Sequence, residues 1–131
     1  MLKAFASIIV ITTCAAAAMA QDPVTVDSNH YKLEFENAQV RVLRVKVGPG
    51  EKSIMHRHPN AVAVFMTDVN GKFTFPDGKT EDIARKAGEA LWTPAITHLP
   101  ENVGTAAFEV ILVELKGGPP LRRTATPTNN N

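Results

Sequence analysis

Three histidines are the residues of this sequence whose type and spacing are best suited to chemistry. His56 and His58 stand two apart, shortly after a Gly-Pro-Gly turn, and His98 follows much later in the chain. In an extended chain, residues i and i+2 point to the same side, so the first two imidazoles face one way. Imidazole is the commonest metal ligand near neutral pH, and this pair would form half of a metal site. Paired histidines also occur without a metal role, so the third histidine is needed to favour a metal.

The elements that must position these histidines are short β-type segments separated by turn residues. Asn70-Gly71 is a strong hairpin signal, and no helix is predicted in the mature chain beyond one turn at 82–87. A change of parity near Val42 and Leu43 predicts a bulge, or a strand that crosses between two sheets. About eight short strands predict an all-β sandwich or barrel. The segments are 31–35, 40–47, 61–67, 72–75, 79–84, 88–92 and 106–115.

The first twenty residues are predicted to be a secretory signal peptide. Lys3 precedes an apolar run, and Ala18-Met19-Ala20 places small residues where a signal peptidase cleaves. Lipoprotein processing at Cys14 is the alternative. The mature chain would begin at Gln21, lack cysteine, and be periplasmic or secreted, with no disulfide, no thiolate metal ligand and no membrane association. We expect an N-terminal extension at 21–30, a barrel at 31–116 and a flexible polar tail at 117–131.

Composition restricts the class of protein. The chain has 131 residues, of which 44% are hydrophobic and 21% charged, so it forms one globular domain rather than a disordered chain. Lys+Arg number 14 against 13 Asp+Glu, for a formal charge of +1. Such a balance argues against a nucleic-acid partner, because phosphate neutralisation needs an excess of basic side chains.

Around the histidines the sequence resembles the cupin superfamily. Its first motif, G-x5-H-x-H-x3-4-E-x6-G, and its second, G-x5-P-x-G-x2-H-x3-N, match over roughly residues 40–116. The matching residues are Gly50, His56, His58, Gly88, Pro94, His98 and Asn102. The resemblance implies a single-domain, RmlC-like jelly-roll β-barrel in which His56, His58 and His98 hold one metal.

Two departures from the motifs bear on function. The glutamate of the first motif should fall at Val62 or Ala63, and the second motif is one residue short, with Ile96 near the expected glycine. The remaining three-histidine set resembles the iron sites of some cupin dioxygenases, which also lack the glutamate. Fe²⁺, Zn²⁺, Mn²⁺, Ni²⁺ and Cu²⁺ all accept imidazole, so the metal stays open. A vestigial, metal-free site is the alternative.

Six further residues are candidates for the pocket wall or for support of the ligands. Val62, Val64 and Met66 share one face, either beside a metal or simply filling the barrel. Trp92 would wall the pocket or lie in the core or at the rim. Glu101 would orient a ligand histidine or be exposed, whereas Asn102 would fix a turn. The six are Val62, Val64, Met66, Trp92, Glu101 and Asn102, and His30 is expected on the surface.

The resemblance leaves several functions open. A metal-dependent enzyme would be a dioxygenase, or an isomerase or lyase assisted by the metal, acting on a small organic molecule, with no catalytic residue assigned beyond the ligands. A metal-free small-molecule-binding cupin and a structural cupin are the alternatives. A homodimer that shares the 31–35 strand is a further expectation.

Overall fold

The computed structural model describes residues 21–117, which fold as one short helix and nine strands. The predicted signal peptide at 1–20, and the predicted tail from residue 118 onward, lie outside the described residues. The elements are α1 (Pro23–Val26), β1 (Tyr31–Glu36), β2 (Val40–Val47), β3 (His56–His58), β4 (Ala61–Phe65), β5 (Val69–Thr74), β6 (Thr80–Arg85), β7 (Ala90–Thr93), β8 (Ile96–Asn102) and β9 (Phe108–Leu115).

The nine strands form two antiparallel sheets. The five-stranded sheet has the order β1-β2-β9-β4-β7, and the four-stranded sheet has the order β3-β8-β5-β6. The predicted all-β jelly-roll fold is therefore confirmed. The one helical turn predicted at 82–87 is wrong, because Thr80–Arg85 pairs along its whole length with β5.

Alternation along the strands builds the core. In β4, Ala61, Ala63 and Phe65 are buried and the residues between them are half-buried. Phe108 and Val110 of β9 face the same interior. Because side chains alternate between the two faces of a strand, each strand contributes every second residue to the space between the sheets.

The parity change near Val42 and Leu43 predicted a bulge or a crossing in β2, but β2 pairs with β9 in unbroken register and the bulge is in the edge strand β1. Leu33 pairs with Leu43 and Phe35 with Val42, so Glu34 is the extra residue. The bulge therefore lies in β1, in the segment that pairs with Val42 and Leu43 of β2. It turns Phe35 to the outer face of the sheet, where its side chain is 52% exposed.

The N-terminal extension contains the short helix α1, which the sequence did not predict. Asp22 caps the short helix α1 by accepting from the backbone N–H groups of Val24 and Thr25. A proline at the start of the helix, Pro23, suits this position because no N–H is needed there. Asp27, just after the helix, is buried and accepts hydrogen bonds from Ser53 and His30. Within 21–117 no helix is long and apolar enough to cross a membrane.

Candidate metal centre

Strands β3 and β8 bring the three histidines together. His56 and His98 are directly opposed across the antiparallel pair, and His58 lies two residues further along β3. The even positions of β3 face the interior, so His56 and His58 are buried while Arg57 between them is exposed. One ring nitrogen from each histidine lies within 4.8 Å of the others.

Hydrogen bonds orient two of the three rings. His56 Nδ1–H donates to the carbonyl oxygen of Ile54 at 2.6 Å, and His58 Nδ1–H donates to Glu114 Oε1 at 2.6 Å. With Nδ1 as the donor in each neutral ring, both Nε2 atoms carry a free lone pair. These two Nε2 atoms lie 2.9 Å apart. Two lone pairs in contact repel each other, and a cation bound by both relieves the repulsion.

In the part of the chain that the structure describes, His98 is the histidine of the cluster whose hydrogen-bonding groups are unsatisfied. Its side chain is buried, and among the described residues neither ring nitrogen has a hydrogen-bond partner. A buried polar group without a partner costs about 1–3 kcal/mol. The ring of Phe73 packs edge-on against it at 4.3 Å between centroids, which holds the imidazole in place without satisfying it.

Burial keeps the imidazoles of His56 and His98 neutral. Burial, with the neighbouring His58 adding to it, lowers the pKa of His56 to about 4. Burial, with His58 and His56 adding to it, lowers the pKa of His98 to about 2. A metal ligand must be unprotonated, so near neutral pH protons do not compete for these two nitrogens.

The donor set fits a divalent transition metal. Three neutral nitrogens and no thiolate suit Zn²⁺, Fe²⁺, Ni²⁺ or Cu²⁺ better than Mg²⁺ or Ca²⁺, which prefer oxygen. The orphaned nitrogens of His98 and the bare Nε2 atoms of His56 and His58 are the observation behind this fit. Mn²⁺ accepts the same nitrogens less readily.

Glu114 is a site residue that the sequence analysis missed. It lies on β9 at an inward position, is 2% exposed, and accepts the hydrogen bond from His58. Its second carboxylate oxygen is 3.5 Å from Arg41 Nη1, and Arg41 in turn pairs with Asp22. A carboxylate behind a ligand histidine fixes the tautomer and raises the basicity of the ligating nitrogen. The available signal was a glutamate in line with the inward-facing apolar residues Phe108, Val110 and Leu112 of the same strand.

The predicted wall residues of β4 and β7 lie outside the barrel. Val62 pairs with Trp92 on one side and Val113 on the other, on the outer face of the five-stranded sheet. Trp92 is 54% exposed, and Val62 and Val64 are half-buried on that outer face. Met66, just beyond the strand, is 50% exposed. The alternate residues of β4, Ala63 and Phe65, are the ones that face the interior.

Three remaining candidates have structural roles. Asn102 is fully buried and its side-chain amide donates to the carbonyls of Val47 and Ala106, which fixes the turn as expected. Glu101 points outward, 3.6 Å from Lys52, so it does not orient a ligand. His30 was expected on the surface, yet it is only 14% exposed and its two nitrogens contact Asp27 and Glu51.

An apolar cavity of about 130 Å³ adjoins the histidines. His58 and His98 form part of its wall, and Ala63 lies there too, at one of the two positions where the cupin motif has glutamate. Tyr31 also lines the cavity, and its ring packs edge-on against His56 at 4.6 Å between centroids. Burial raises the pKa of the Tyr31 hydroxyl, so this group is neutral.

Solved structures share this architecture. No family model and no curated protein matches the chain. The structure is similar to a cupin domain from Bordetella pertussis Tohama I, with a TM-score of 0.62 and 24% identity over 66% of this chain and 92% of that one. It is similar to a double-stranded β-helix protein from Klebsiella pneumoniae, with a TM-score of 0.54 and 18% identity over 70% and 82% of the two chains.

A polyketide cyclase from Streptomyces resistomycificus is a third similar structure, with a TM-score of 0.50 and 18% identity over 69% of this chain and 66% of that one. The chain therefore has the double-stranded β-helix fold of the cupins, as its two histidine motifs predicted. Its cluster of three buried histidines is one that can hold a metal ion.

Proposed function

We propose that this protein is a metal-dependent cupin in which His56, His58 and His98 bind one divalent ion and act on a small organic molecule. The observation that carries the proposal is the buried His98 ring, which has no hydrogen-bond partner among the described residues and faces two bare Nε2 atoms. A fold that only needed to be stable would have an apolar side chain at this position, because an unsatisfied imidazole destabilises it.

The residues around the centre define what it can do. A divalent ion on three neutral imidazoles keeps nearly its full charge, so when bound it supplies Lewis acidity toward a substrate oxygen and, if redox-active, O₂-dependent chemistry. Glu114 keeps the proton of His58 on Nδ1 and leaves Nε2 as the donor atom. The apolar wall beside His58 and His98 excludes water from the reacting end of a substrate. Dioxygenase chemistry, or isomerase or lyase chemistry assisted by the metal, is consistent with these features.

Secretion is part of the proposal and is supported by the sequence alone. A positive start, an apolar run and Ala18-Met19-Ala20 favour export to the periplasm or the medium, with Gln21 as the first mature residue. Mass spectrometry of the exported protein tests this, and a mature chain that begins at Cys14 would instead indicate a lipoprotein.

Metal content tests the proposed centre. The protein is purified without an affinity tag or chelator, and its metal is measured before and after loading with Fe²⁺, Zn²⁺, Mn²⁺, Ni²⁺ or Cu²⁺. We expect about one ion per chain in the wild type and less than a tenth of that in His56→Ala and His98→Ala. His30→Ala removes a histidine outside the cluster and should retain the metal. Absence of metal under every loading condition, with all variants folded, would overturn the proposal in favour of a metal-free binding protein.

A further inference from the structure

The cavity beside the histidines has a size and a lining that select its ligand. Its volume is about 130 Å³. An engineered protein cavity of about 150 Å³ lined by aliphatic and aromatic side chains takes up one benzene molecule. The cavity therefore accommodates about one six-membered ring or a branched chain of similar size.

The lining is almost entirely apolar. Phenylalanine, valine, leucine and isoleucine side chains from both sheets make up most of it. A sugar-like molecule would bury several hydroxyl groups against this wall without partners, at about 1–3 kcal/mol for each group. The lining residues that carry this point are Phe65, Phe73, Ile83, Leu91, Phe108 and Val110.

Among the described residues, the buried side-chain nitrogens without a hydrogen-bond partner lie at the histidine end of the cavity. His98 has two ring nitrogens without a partner among the described residues, and it lies on the cavity wall with His58. Tyr31 also lies in the wall, and burial raises the pKa of its hydroxyl, so this group stays neutral. Arg85 and Thr93 are further polar residues of the lining. Most of the rest is apolar, so a ligand in the cavity meets unsatisfied imidazole nitrogens at its histidine end and mainly apolar surface elsewhere.

We infer that the ligand of this cavity is a small, mainly apolar molecule of about one ring, with a single oxygen-bearing end directed at His58 and His98. The inference deepens the proposed function, because it names the substrate class of the same site. It excludes polyhydroxylated and multi-ring molecules. It also explains why Ala63, rather than a larger side chain, lies at an inward position of β4, because a methyl group there leaves the space open.

Three probes of similar size test the inference in protein freed of metal by chelator, so that its outcome is independent of metal binding. Phenol presents a ring with one hydroxyl, toluene lacks the hydroxyl, and myo-inositol is a six-membered ring that carries only hydroxyls. Affinities come from titrations monitored by NMR. We expect phenol to bind, toluene to bind about threefold to tenfold more weakly for want of one hydrogen bond to an imidazole, and myo-inositol not to bind.

A pair of substitutions on β4 locates the binding. Ala63→Leu fills the cavity from its wall and should weaken phenol binding at least tenfold. Val62→Leu enlarges a side chain by one carbon on the outer face of the same strand and should leave phenol binding unchanged. Nuclear Overhauser contacts between phenol and the methyl groups of Val110 and Leu112 in the wild type provide a second readout if Ala63→Leu does not fold.

Each outcome decides the inference. Binding of myo-inositol as tight as that of phenol, unchanged phenol affinity in a folded Ala63→Leu variant, or absence of contacts to Val110 and Leu112 would overturn it. Failure of the metal analysis with these probes still binding as expected would remove the proposed metal function and leave the ligand class standing. If the metal analysis succeeds but the probes do not bind the metal-free protein, the proposed ligand class is wrong and the proposed metal function stands.

Discussion

Glu114 Oε1 lies 2.6 Å from Nδ1 of His58, and both side chains are almost completely buried. The contact joins the last strand of the barrel to the short strand that carries two of the three candidate ligands. A buried carboxylate hydrogen-bonded to a ligand imidazole holds the ring in one tautomer and in one orientation. The geometry therefore assigns Glu114 a positioning role behind the metal ligands.

Removal of the Glu114 carboxylate should weaken metal binding. Glu114→Gln keeps an acceptor oxygen but loses the charge, and Glu114→Leu loses both. We expect metal affinity to fall about tenfold in the first and up to a hundredfold in the second, as measured by competition with a chromophoric chelator. Glu109→Gln makes the same chemical change on the outward face of β9 and should leave the affinity unchanged. Equal affinities in all three variants would mean that Glu114 serves the fold only.

Replacement of His98 by leucine should stabilise the metal-free protein. The substitution removes two buried nitrogens without partners and replaces them by apolar surface beside Phe73. We expect the free energy of unfolding, measured with urea in the presence of chelator, to rise by about 1–3 kcal/mol. His58→Leu should lower it, because Glu114 then loses its hydrogen bond inside the barrel. A destabilised His98→Leu variant would contradict the view that His98 is kept for binding.

Acid should destabilise the metal-free protein through His56. Its pKa is about 4 in the folded state and 6.5 in the unfolded chain, so between these values the unfolded chain binds a proton that the folded protein does not. The contribution of His56 is unchanged above pH 6.5 and falls as the pH drops toward 4, by roughly 3 kcal/mol. His98, whose folded-state pKa is about 2, destabilises the protein over the same window, so the comparison with a variant that lacks His56 isolates the part due to His56.

Urea unfolding at several pH values between 7 and 4 measures this effect. The curve of His56→Leu should be shallower than that of the wild type in this window. Buried Asp27 acts below its ordinary pKa of 3.8, because hydrogen bonds from Ser53 and His30 outweigh the effect of burial and keep its pKa low. Its contribution is therefore lost at more acid pH and is separable. Parallel curves for the two proteins would refute the assignment to His56.

Substitution of Trp92 should not affect the site. Its side chain is half exposed on the outer face of the five-stranded sheet, opposite Val62. Trp92→Ser should leave both the metal content and the affinity for phenol within twofold of the wild type. A tenfold change in either quantity would show that the outer face of β7 communicates with the cavity.

The fold and the cluster of three histidines were accessible from the sequence because they depend on local spacing. Two histidines separated by one residue must share a face of a strand, and two motifs in order indicate the barrel that brings the third histidine to them. It was harder to predict which alternate residues of a strand face the interior of the barrel. In β4 the small Ala61 and Ala63 face the interior and the larger Val62 and Val64 face outward, so side-chain size gave the wrong face.

Contacts distant in the sequence could not be predicted. The contact between Glu114 and His58 depends on which strand crosses above β3, and no local pattern specifies that choice. The ordered extension was missed for the same reason, since Asp27 is held by Ser53 from a later loop. A charged residue at an inward position of an apolar strand is the one signal that pointed to such a contact, because a buried charge requires a partner.

The linked contacts from His58 through Glu114 and Arg41 to Asp22 also determine when the centre can exist during folding. The members of this set come from the segment before β1, from β2, from β3 and from β9, so the ligand geometry is complete only after the last strand has paired. In an unfolded chain the histidines are not held in any fixed geometry, so their affinity for different divalent metals follows the intrinsic order of affinities of those metals for imidazole. Under the proposed function, a centre that is assembled last would select its ion with a finished cavity, and the order of folding would become a source of metal selectivity.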